Sequence, residues 1–307
     1  MDTKNVTAIA MFILQGFAIG YKQQIFLFVM FLFIYLLSIT FNTLIIFMVR
    51  TERRLHKPMY FFLSNFSFLE IMYISDTVPK MMSDFLSQKK TISVACCITQ
   101  LYFLFLFGSI ENLLLVIMSF DRYVAICYPL QYVIIMSERF CRLLAAAAWM
   151  FSVVILMIII IPVTQLSFCD SNIIDHVFCD FAPVVKISCQ GATLCEIVFF
   201  LIAGLVILGC FTLIMASYIH IIIIVYATSS GSGLRNAFAT CASHFIVVFI
   251  YYGTVIFMYV RPSVMVSFHE DKVISVFYSA VTPLLNPVIY SLRNKDVKES
   301  IIKLFRI

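Results

Sequence analysis

This chain of 307 residues is far more apolar than proteins that fold in water, since 63% of its residues are hydrophobic and only 12% are charged. With a mean hydropathy of +1.03, it has more apolar surface than a soluble domain can bury, so we expect lipid to be its solvent. The formal net charge of +5 is modest, and the basic residues form no stripe, which excludes a nucleic-acid partner.

The first residues contain a glycosylation acceptor and a short apolar segment. Asn5 begins an Asn-x-Thr triplet, which matters only if the N-terminus lies outside the cell, and such triplets also arise by chance. Residues 8–14 are apolar but lack a convincing cleavage site, so we do not expect a cleaved signal peptide.

Seven apolar stretches follow, and each is long enough to cross a hydrocarbon core of roughly 30 Å as a helix. They cover residues 25–49, 59–78, 94–126, 143–161, 194–226, 237–260 and 273–290. We therefore predict an all-α membrane protein, a seven-transmembrane helix bundle whose two termini lie on opposite sides of the membrane.

The positions of Lys and Arg predict which side is which. Thirteen of the 21 basic residues fall in one set of loops and the tail: Arg50, Arg53, Arg54, Lys57, Arg122, Arg139, Arg142, Arg235, Arg293, Lys295, Lys298, Lys303 and Arg306. By the positive-inside rule this set is cytoplasmic. We therefore expect a plasma-membrane protein with an extracellular N-terminus at 1–24, a transmembrane domain at 25–291 and a cytoplasmic tail at 292–307.

The cysteine positions agree with this orientation. The cysteines on or near the outer, oxidising side are Cys97, Cys169, Cys179 and Cys189. They predict two disulfides, but four cysteines allow three pairings, and the sequence alone leaves all three open. Cys96 and Cys195 lie near the same surface and compete with them.

A charged pair, Asp121 and Arg122, ends the third stretch. Arg122 lies 25 residues after Cys97, or about 38 Å along a helix, where a membrane helix meets cytoplasmic water. Charge alone fits a topology anchor or a solvated face as well as a functional pair.

Four polar side chains lie at a similar depth in four different stretches. Counted from the cytoplasmic ends, Asn42, Glu70, Glu111 and Asn286 lie about 12, 18, 16 and 10 Å into the membrane. Two buried carboxylates do not readily carry two negative charges, so we expect the glutamates to share a proton, hold a cation such as sodium, or do both at different times. The alternative is a pair of protonated glutamates with no switching role.

The last stretch and the tail each carry a helix signal. Pro283 and Pro287 remove backbone donors beside Asn286, which suits either a helix that moves or a static kink. In the tail, Val297, Ile301, Leu304 and Phe305 recur among basic residues. This spacing predicts a short amphipathic C-terminal helix in the membrane interface, with a frayed, solvated tail as the alternative.

Five segments carry a resemblance to a known family. They are residues 55–65 (LHKPMYFFLSN), 118–130 (MSFDRYVAICYPL), 217–218 (SY), 237–244 (AFATCASH) and 283–294 (PLLNPVIYSLRN). In this order and spacing, the chain resembles a rhodopsin-like class A G-protein-coupled receptor and, within that class, an odorant receptor. The resemblance implies a small volatile ligand, a stimulatory olfactory-type G protein that raises cyclic AMP, no cofactor and no enzymatic activity.

The resemblance also implies the coupling residues. Arg122, beside Asp121, is expected to be held inward at rest and to engage the C-terminal helix of the G protein when the sixth helix swings out. The implied coupling and activation set is Asp121, Arg122, Tyr123, Tyr218, His244, Asn286, Pro287 and Tyr290.

The resemblance further implies disulfides Cys97–Cys179 and Cys169–Cys189, and a switch aromatic at Tyr252. Residues 176–180 resemble a loop pattern suggested to bind copper in thiol-sensing receptors, but a disulfide at Cys179 would consume its thiolate. We therefore predict no metal site other than the sodium alternative at Glu70 and Glu111.

A ligand pocket is implied in the outer half of the bundle. Its expected residues are Leu104, Phe105, Gly108, Ser109, Ile202, Val206, Tyr252, Val255, Ile256, Tyr259, Val276 and Ser279. Such a lining favours a small, mostly apolar ligand held by one or two hydrogen bonds. Leu104 stands where amine receptors carry an acidic residue.

Other functional classes fit less well. A secondary transporter would show an internal repeat with paired broken helices, and neither is present. A photoreceptor needs a lysine in the seventh stretch, and residues 273–290 contain none. No nucleophile–base arrangement supports an enzyme. The nearest alternative is a class A receptor for a small molecule that is not an odorant.

Overall fold

The structure is a computed structural model that describes residues 9–169, 171–228, 231–259, 268–293 and 297–300. Its helices are α1 (Tyr21–Thr51), α2 (Pro58–Leu86), α3 (Val94–Cys127), α4 (Tyr132–Ile135), α5 (Glu138–Thr164), α6 (Phe181–Lys186), α7 (Ala192–Thr228), α8 (Gly231–Tyr259), α9 (Phe268–Val276) and α10 (Thr282–Arg293). A π-helical turn at Phe277–Val281 joins α9 to α10, and these three pieces form the last helix. The strands are β1 (Met11–Leu14), β2 (Thr91–Ser93), β3 (Ser167–Phe168), β4 (Ile173–Ile174) and β5 (Ser188–Gln190).

The seven predicted apolar stretches lie in α1, α2, α3, α5, α7, α8 and the last helix. The sixth stretch is described only as far as residue 259, where α8 ends. Within the described residues, five segments are long and apolar enough to cross a membrane: Tyr21–Thr51, Val94–Cys127, Glu138–Thr164, Ala192–Ala227 and Asp271–Tyr290. Helix α8 contributes a shorter apolar segment, His244–Tyr259. Helix α2 is less apolar because Glu70, Asp76, Lys80 and Asp84 lie along it.

Helix α2 runs eight residues past the predicted end of its stretch at residue 78 and continues through Pro79 to Leu86. Proline inside a helix removes one backbone donor. One turn later, the Lys80 ammonium is paired with the Asp84 carboxylate. Pairs four residues apart stabilise a helix, and this one lies in the added turns.

Helix α3 is the centre of the bundle and packs against α2, α5 and α7. The side chains of Leu101, Ile110 and Leu114 along it are fully buried. A helix enclosed on several sides can carry polar groups away from lipid. Glu111 and Asn112 accordingly lie in its middle with exposed fractions of 4% and 3%.

Short strands, which the all-α prediction did not include, cover one end of the bundle. Strand β1 pairs antiparallel with β2 and parallel with β4, while β3 pairs antiparallel with β5. The same end carries two disulfides, Cys97–Cys179 and Cys169–Cys189, which are the pairs that the resemblance implied. We call it the disulfide end, and the opposite end of the bundle the Arg122 end.

The sequence of β1 explains why it was not predicted. Phe12 and Leu14 are buried, whereas Met11 and Ile13 are 43% and 38% exposed. All four residues are apolar, so the alternation typical of a strand is present in burial but absent from the residue types. The partners of β1 also lie far along the chain, at residues 91–93 and 173–174.

Candidate functional site

A cavity of about 70 Å³ lies inside the bundle toward the disulfide end. One water molecule needs roughly 10–15 Å³ on a comparable measure, so the cavity has room for a small molecule. It is lined by Tyr73, Leu104, Phe105, Gly108, Ser109, Asn112, Ile155, Leu156, Ile159, Phe199, Ile202, Ala203, Val206, Ile207, Tyr251, Val255, Tyr259 and Tyr278. Most of these side chains are aliphatic or aromatic.

Eight of the twelve predicted ligand residues line this cavity: Leu104, Phe105, Gly108, Ser109, Ile202, Val206, Val255 and Tyr259. The other four, Tyr252, Ile256, Val276 and Ser279, are not among its lining residues. Tyr251 lines the cavity where Tyr252 was expected, and Tyr278 where Ser279 was expected. These two predictions are thus displaced by one residue.

The displacements have structural reasons. On α8, the Tyr252 ring packs against Phe211 of α7, with centroids 5.2 Å apart, which leaves Tyr251 facing the cavity. On the last helix, the π turn Phe277–Val281 adds residues per turn and so changes which side chain faces inward. Local sequence gives little warning of such a turn.

The cavity also has lining residues that were not predicted. They are Tyr73, Asn112, Ile155, Leu156, Ile159, Phe199, Ala203, Ile207, Tyr251 and Tyr278. Asn112 could have been predicted from the sequence, because it is a second polar residue beside Glu111 in an apolar run. The α5 residues are part of a uniformly apolar helix, and their sequence gives no such signal.

A small polar wall interrupts the apolar lining. Asn112 Nδ2 donates to the Tyr251 hydroxyl at 2.8 Å and to the Gly108 carbonyl at 2.9 Å. The Tyr251 hydroxyl lies 2.9 Å from the same carbonyl. Ser109 Oγ donates to Ser152 Oγ at 2.9 Å. The buried Asn112 Oδ1 accepts no hydrogen bond among the described residues, so an acceptor remains for a ligand.

An aromatic roof closes the cavity toward the disulfide end, and its members are Phe105, Phe181, Phe199 and Tyr259. Phe181 of α6 stacks on Phe199 with centroids 3.8 Å apart. Phe105 packs edge-on against Phe199 at 5.1 Å and against Tyr259 at 5.5 Å. Aromatic pairs at these separations attract beyond the burial of their surface.

One buried carboxylate lies at the roof. Asp180 is 3% exposed and accepts from the Phe181 amide at 2.7 Å. The Tyr259 hydroxyl lies 3.3 Å from its other oxygen and 2.5 Å from the Tyr278 hydroxyl. Burial raises the pKa of Asp180 to about 6. These hydrogen bonds link the loop after β4 to α8 and to the last helix, which both line the cavity.

The loop between α5 and α7 is fixed to α3 by a disulfide and a side-chain bridge. Cys179 is bonded to Cys97. Gln100 Oε1 accepts from the Cys179 amide at 3.0 Å, while its Nε2 donates to the Asp76 carbonyl at 2.8 Å. The roof is therefore held to both α2 and α3.

His176 fixes the same loop to the last helix. Its Nδ1 lies 3.1 Å from the Phe178 carbonyl and its Nε2 lies 3.1 Å from the Ser275 hydroxyl. Beside it, Lys272 Nζ is 2.5 Å from Asp175 Oδ1. Because both ring nitrogens of His176 are engaged and Cys179 is in a disulfide, this loop does not fit a copper site. Among the described residues, no three His, Cys, Asp or Glu side chains lie close enough together to hold a metal ion.

Acid is expected to destabilise this loop through His176. Burial lowers the pKa of His176 from 6.5 to about 4, so between those values the unfolded chain binds a proton that the folded chain does not. Stability therefore falls as the pH drops, by about 2 kcal/mol at pH 5. Asp180, whose pKa is raised to about 6, opposes this with about 1 kcal/mol.

Thermal unfolding of the purified protein at pH 7 and pH 5 checks this prediction. His176→Asn should remove the fall in unfolding temperature, and Asp180→Asn should make it larger. An equal fall in both variants and the parent chain would show that neither His176 nor Asp180 causes the effect.

At the Arg122 end, the predicted charge pair is formed. Arg122 Nη2 donates to Asp121 Oδ2 at 2.8 Å, and the Tyr132 hydroxyl of α4 donates to Asp121 Oδ1 at 2.8 Å. The Asp121 side chain is fully buried and that of Arg122 is 15% exposed. Both carboxylate oxygens are thus satisfied, and the guanidinium is held against the bundle. Tyr132 was not predicted.

The remaining predicted coupling residues are distributed around this pair. Tyr218 of α7 is hydrogen-bonded to His244 of α8. The Tyr290 ring packs against Phe66 of α2 at 6.4 Å, and its buried hydroxyl has no partner among the described residues. Tyr123 packs against His220 of α7, with ring centroids 6.2 Å apart.

The predicted polar cluster is joined through the last helix. Asn286 Nδ2 donates to Glu70 Oε1. Asn42 Nδ2 donates to the Pro283 carbonyl at 3.0 Å, which is the acceptor left free because Pro287 has no N–H. Asn286 therefore binds the carboxylate, while Asn42 satisfies the freed carbonyl.

Three oxygens of the cluster remain without hydrogen-bond partners among the described residues: Asn42 Oδ1, Glu111 Oε1 and Asn286 Oδ1. Buried unsatisfied oxygens call for a water or an ion. Amide and carboxylate oxygens are the ligand types that hard cations take.

Two predicted features fall largely outside the described residues. The glycosylation acceptor Asn5 is one of them. Of the predicted tail helix, residues 297–300 are described and helical, and Val297 is 1% exposed.

Comparisons with known proteins agree with the fold and the motifs. The sequence model described as "Olfactory receptor" matches residues 31–306. The human protein Olfactory receptor 5F1 is 43% identical over 98% of this chain and 96% of its own length. Human Olfactory receptor 11H4 is 46% identical over 97% and 92%, and mouse Olfactory receptor 5G9 is 45% identical over 98% and 96%.

Among solved structures, squid rhodopsin aligns with a TM-score of 0.62 at 18% identity, covering 94% of this chain and 86% of that one. At this identity the likeness shows the fold alone. It confirms the predicted all-α bundle of seven membrane helices.

Proposed function

Because the chain belongs to the olfactory receptor family, we propose that it binds a small, mostly apolar volatile ligand in the described cavity and activates a stimulatory, olfactory-type G protein. The result is a rise in cyclic AMP. The family consists of multi-pass membrane receptors, not enzymes, with a small-molecule ligand and a G protein as partners.

The observation that carries this proposal is the composition of the cavity wall. The lining is apolar except for Tyr73, Ser109, Asn112, Tyr251, Tyr259 and Tyr278, which are all uncharged. Ligand pockets are typically apolar with a few placed polar groups. The wall therefore favours a neutral ligand with one polar group.

The wall also indicates where that polar group binds. Asn112 Oδ1 is a buried acceptor without a partner in the part of the chain that the structure describes, so a hydroxyl-bearing ligand would satisfy it. Asp180, the carboxylate at the roof, is engaged by the Phe181 amide and Tyr259. An amine that bound Asp180 would have to displace these contacts, which argues against an amine at the roof.

The proposal includes an orientation. The disulfide end faces the oxidising exterior, with residues 1–24 outside and glycosylation at Asn5. The Arg122 end and residues 292–307 face the cytoplasm, in accord with the positive-inside rule. The location is the plasma membrane, where the bundle lies in lipid.

The proposal is tested by screening a broad panel of volatiles in cells that express the receptor and an olfactory-type stimulatory G protein. We expect at least one apolar volatile to raise cyclic AMP. Uptake of the same volatile without cyclic AMP would indicate a transporter instead. A response confined to non-volatile small molecules would indicate a class A receptor outside olfaction.

Two cavity hydroxyls should matter for potency. Tyr259→Phe removes the hydroxyl that joins Asp180 to Tyr278, and Ser109→Ala removes the bond to Ser152. A lost buried hydrogen bond costs about 1 kcal/mol, so we expect potency in the cyclic AMP assay to fall about five- to tenfold in each variant. Tyr35→Phe, which removes a hydroxyl on α1, is the matched control. Unchanged potency in both cavity variants would remove these residues from the ligand site.

Glu111 should set the response to pH and sodium. We propose that the oxygens of Glu111, Asn42 and Asn286 would hold sodium, and that this ion favours the resting bundle. Glu111→Gln removes the charge but keeps the shape, so basal cyclic AMP should lose its dependence on sodium and pH. Glu111→Asp, which keeps the charge, should retain both. If Glu111→Gln behaves like the parent receptor, the glutamates are protonated structural groups only.

A further inference from the structure

The route by which a ligand reaches the cavity can be read from how its walls are covered, and this inference rests on the ligand role proposed above. Toward the disulfide end, the aromatic roof is itself covered by the loop. Phe178 and Cys179 of that loop are fully buried, as are Val184 and Val185 of α6. The described residues therefore place several layers of side chains between the cavity and the water at that end.

The side walls differ sharply in exposure. On the side of α2, α8 and the last helix, Tyr73, Tyr251, Val255 and Tyr278 are only 4–6% exposed. On the opposite side, part of the lining is half-buried: Phe105, Gly108 and Ser109 of α3, Ile155 of α5, and Ile202, Ala203 and Val206 of α7. The other lining residues of α5 and α7 are buried, namely Leu156, Ile159, Phe199 and Ile207, and on the α8 side Tyr259 is half-buried. The thin wall lies along one seam, between α5 and α7.

Helix α7 shows the change along its own length. Phe199 and Ile207, one turn or so on either side, are 6% and 5% exposed, whereas Ala203 between them on the same face is half-buried. Ala203 is also small, and a Cβ built at the adjacent Gly204 would meet no atom within 4 Å. Packing between the helices is therefore loose at the depth of the cavity.

Lipid lies directly outside this seam. Val154 and Ile158 of α5 are 60% and 52% exposed, and Leu201 and Leu205 of α7 are 64% and 76% exposed. These side chains lie one to three positions from the half-buried lining residues of the same helices. One layer of small or aliphatic side chains thus separates the cavity from the membrane.

We propose that neutral, lipid-soluble ligands enter the cavity sideways from the membrane, through the seam between α5 and α7, with Ala203 and Gly204 in the passage. An apolar molecule concentrates in the hydrocarbon core before it meets the receptor. Entry from lipid avoids opening the disulfide-bonded loop and the aromatic roof. Charged molecules, which the hydrocarbon excludes, do not take this route.

The test uses thiol reagents and needs no odorant. Val255→Cys places a thiol on the buried wall facing away from the seam, and Cys96, which is exposed, serves as the internal reference for water access. The purified receptor in lipid nanodiscs is treated with butyl methanethiosulfonate, which enters lipid, or with the charged 2-sulfonatoethyl methanethiosulfonate. Peptide mass spectrometry then gives the rate of modification at each cysteine.

We expect the butyl reagent to modify residue 255, while the charged reagent modifies Cys96 but not residue 255. In the same background, Ala203→Trp should slow the butyl reaction at residue 255 by about tenfold or more, equivalent to about 1.4 kcal/mol in the barrier. Leu205→Trp, a bulky change on the lipid face of the same helix, should leave it unchanged. Gly204→Leu is a second blocking variant in case Ala203→Trp does not fold.

Three results would overturn the proposal. They are modification of residue 255 by the charged reagent as fast as Cys96, an unchanged butyl rate in a folded blocking variant, or equal slowing by Leu205→Trp. Each of these leaves the signalling proposal standing, because the assay does not involve the G protein. Conversely, a receptor that never raises cyclic AMP can still show lateral entry.

Discussion

Replacing Arg122 by alanine is expected to abolish ligand-stimulated nucleotide exchange on the G protein while leaving ligand binding intact. The guanidinium is always charged and presents several donors in a fixed plane. It is held against Asp121 in this structure and lies far from the cavity residues along α3. Losing a buried, hydrogen-bonded charged contact with the G protein costs about 2–5 kcal/mol, so exchange should fall by a factor of about 30 or more.

The matched control for this experiment is Arg142→Ala. Arg142 lies on α5, and its ion pair with Glu138 is 65% and 84% exposed. Exposed pairs contribute little, so this variant should signal normally. Nucleotide exchange that continued undiminished in Arg122→Ala, measured with purified receptor and G protein, would refute the proposed role of Arg122.

The second large effect is expected on removal of the Cys97–Cys179 disulfide. Replacing both cysteines by serine frees the loop that carries Phe178, Asp180 and the aromatic roof. Loss of a native disulfide typically costs about 2–5 kcal/mol. We expect a lower unfolding temperature and loss of the ligand response. The double change avoids leaving one thiol free to pair with Cys96.

The Cys169–Cys189 disulfide serves as the control for removal of the Cys97–Cys179 disulfide. It closes only 20 residues within the loop, whereas Cys97–Cys179 spans 82 residues and ties the loop to α3. A shorter closed segment gives a smaller entropic stabilisation. The Cys169→Ser, Cys189→Ser variant should therefore bind ligand with a smaller loss of stability. Equal losses in the two double variants would contradict the view that anchoring to α3 is what matters.

The sequence predicts the helices of this protein well because lipid imposes a strict requirement on length and apolarity. Spanning segments need about 20 apolar residues, and stretches of that size are visible without any structure. Helix α2 was predicted to end at residue 78, because Lys80 and Asp84 mark the apparent end of the apolar stretch. Their pairing instead carries the helix on to Leu86.

Side-chain direction within the helices was harder to predict. Tyr251 and Tyr252 are identical in type, and only packing against Phe211 decides which one faces the cavity. In the last helix, the π turn shifts the inward position from Ser279 to Tyr278. Both depend on tertiary contacts that neighbouring residues in the sequence do not encode.

Asn42 shows a further limit of the same kind. Its depth in the membrane was predicted, but its acceptor was not, since the Pro283 carbonyl lies 241 positions along the chain. The free carbonyl itself follows from Pro287. The sequence thus shows which backbone carbonyl lacks its helical partner, but not that the side chain of Asn42 binds it while Asn286 binds Glu70.

Strand β1 bears on how this protein can be trimmed for laboratory work. It is hydrogen-bonded on both edges, to β2 on one side and to β4 on the other. A truncation that began at Gln15 would leave two strand edges facing water without partners, which invites unwanted pairing between molecules. Shortened versions should therefore keep every residue from Ile9 onward, and an affinity tag should be attached ahead of Ile9, because β1 is the central strand of the sheet that covers the disulfide end.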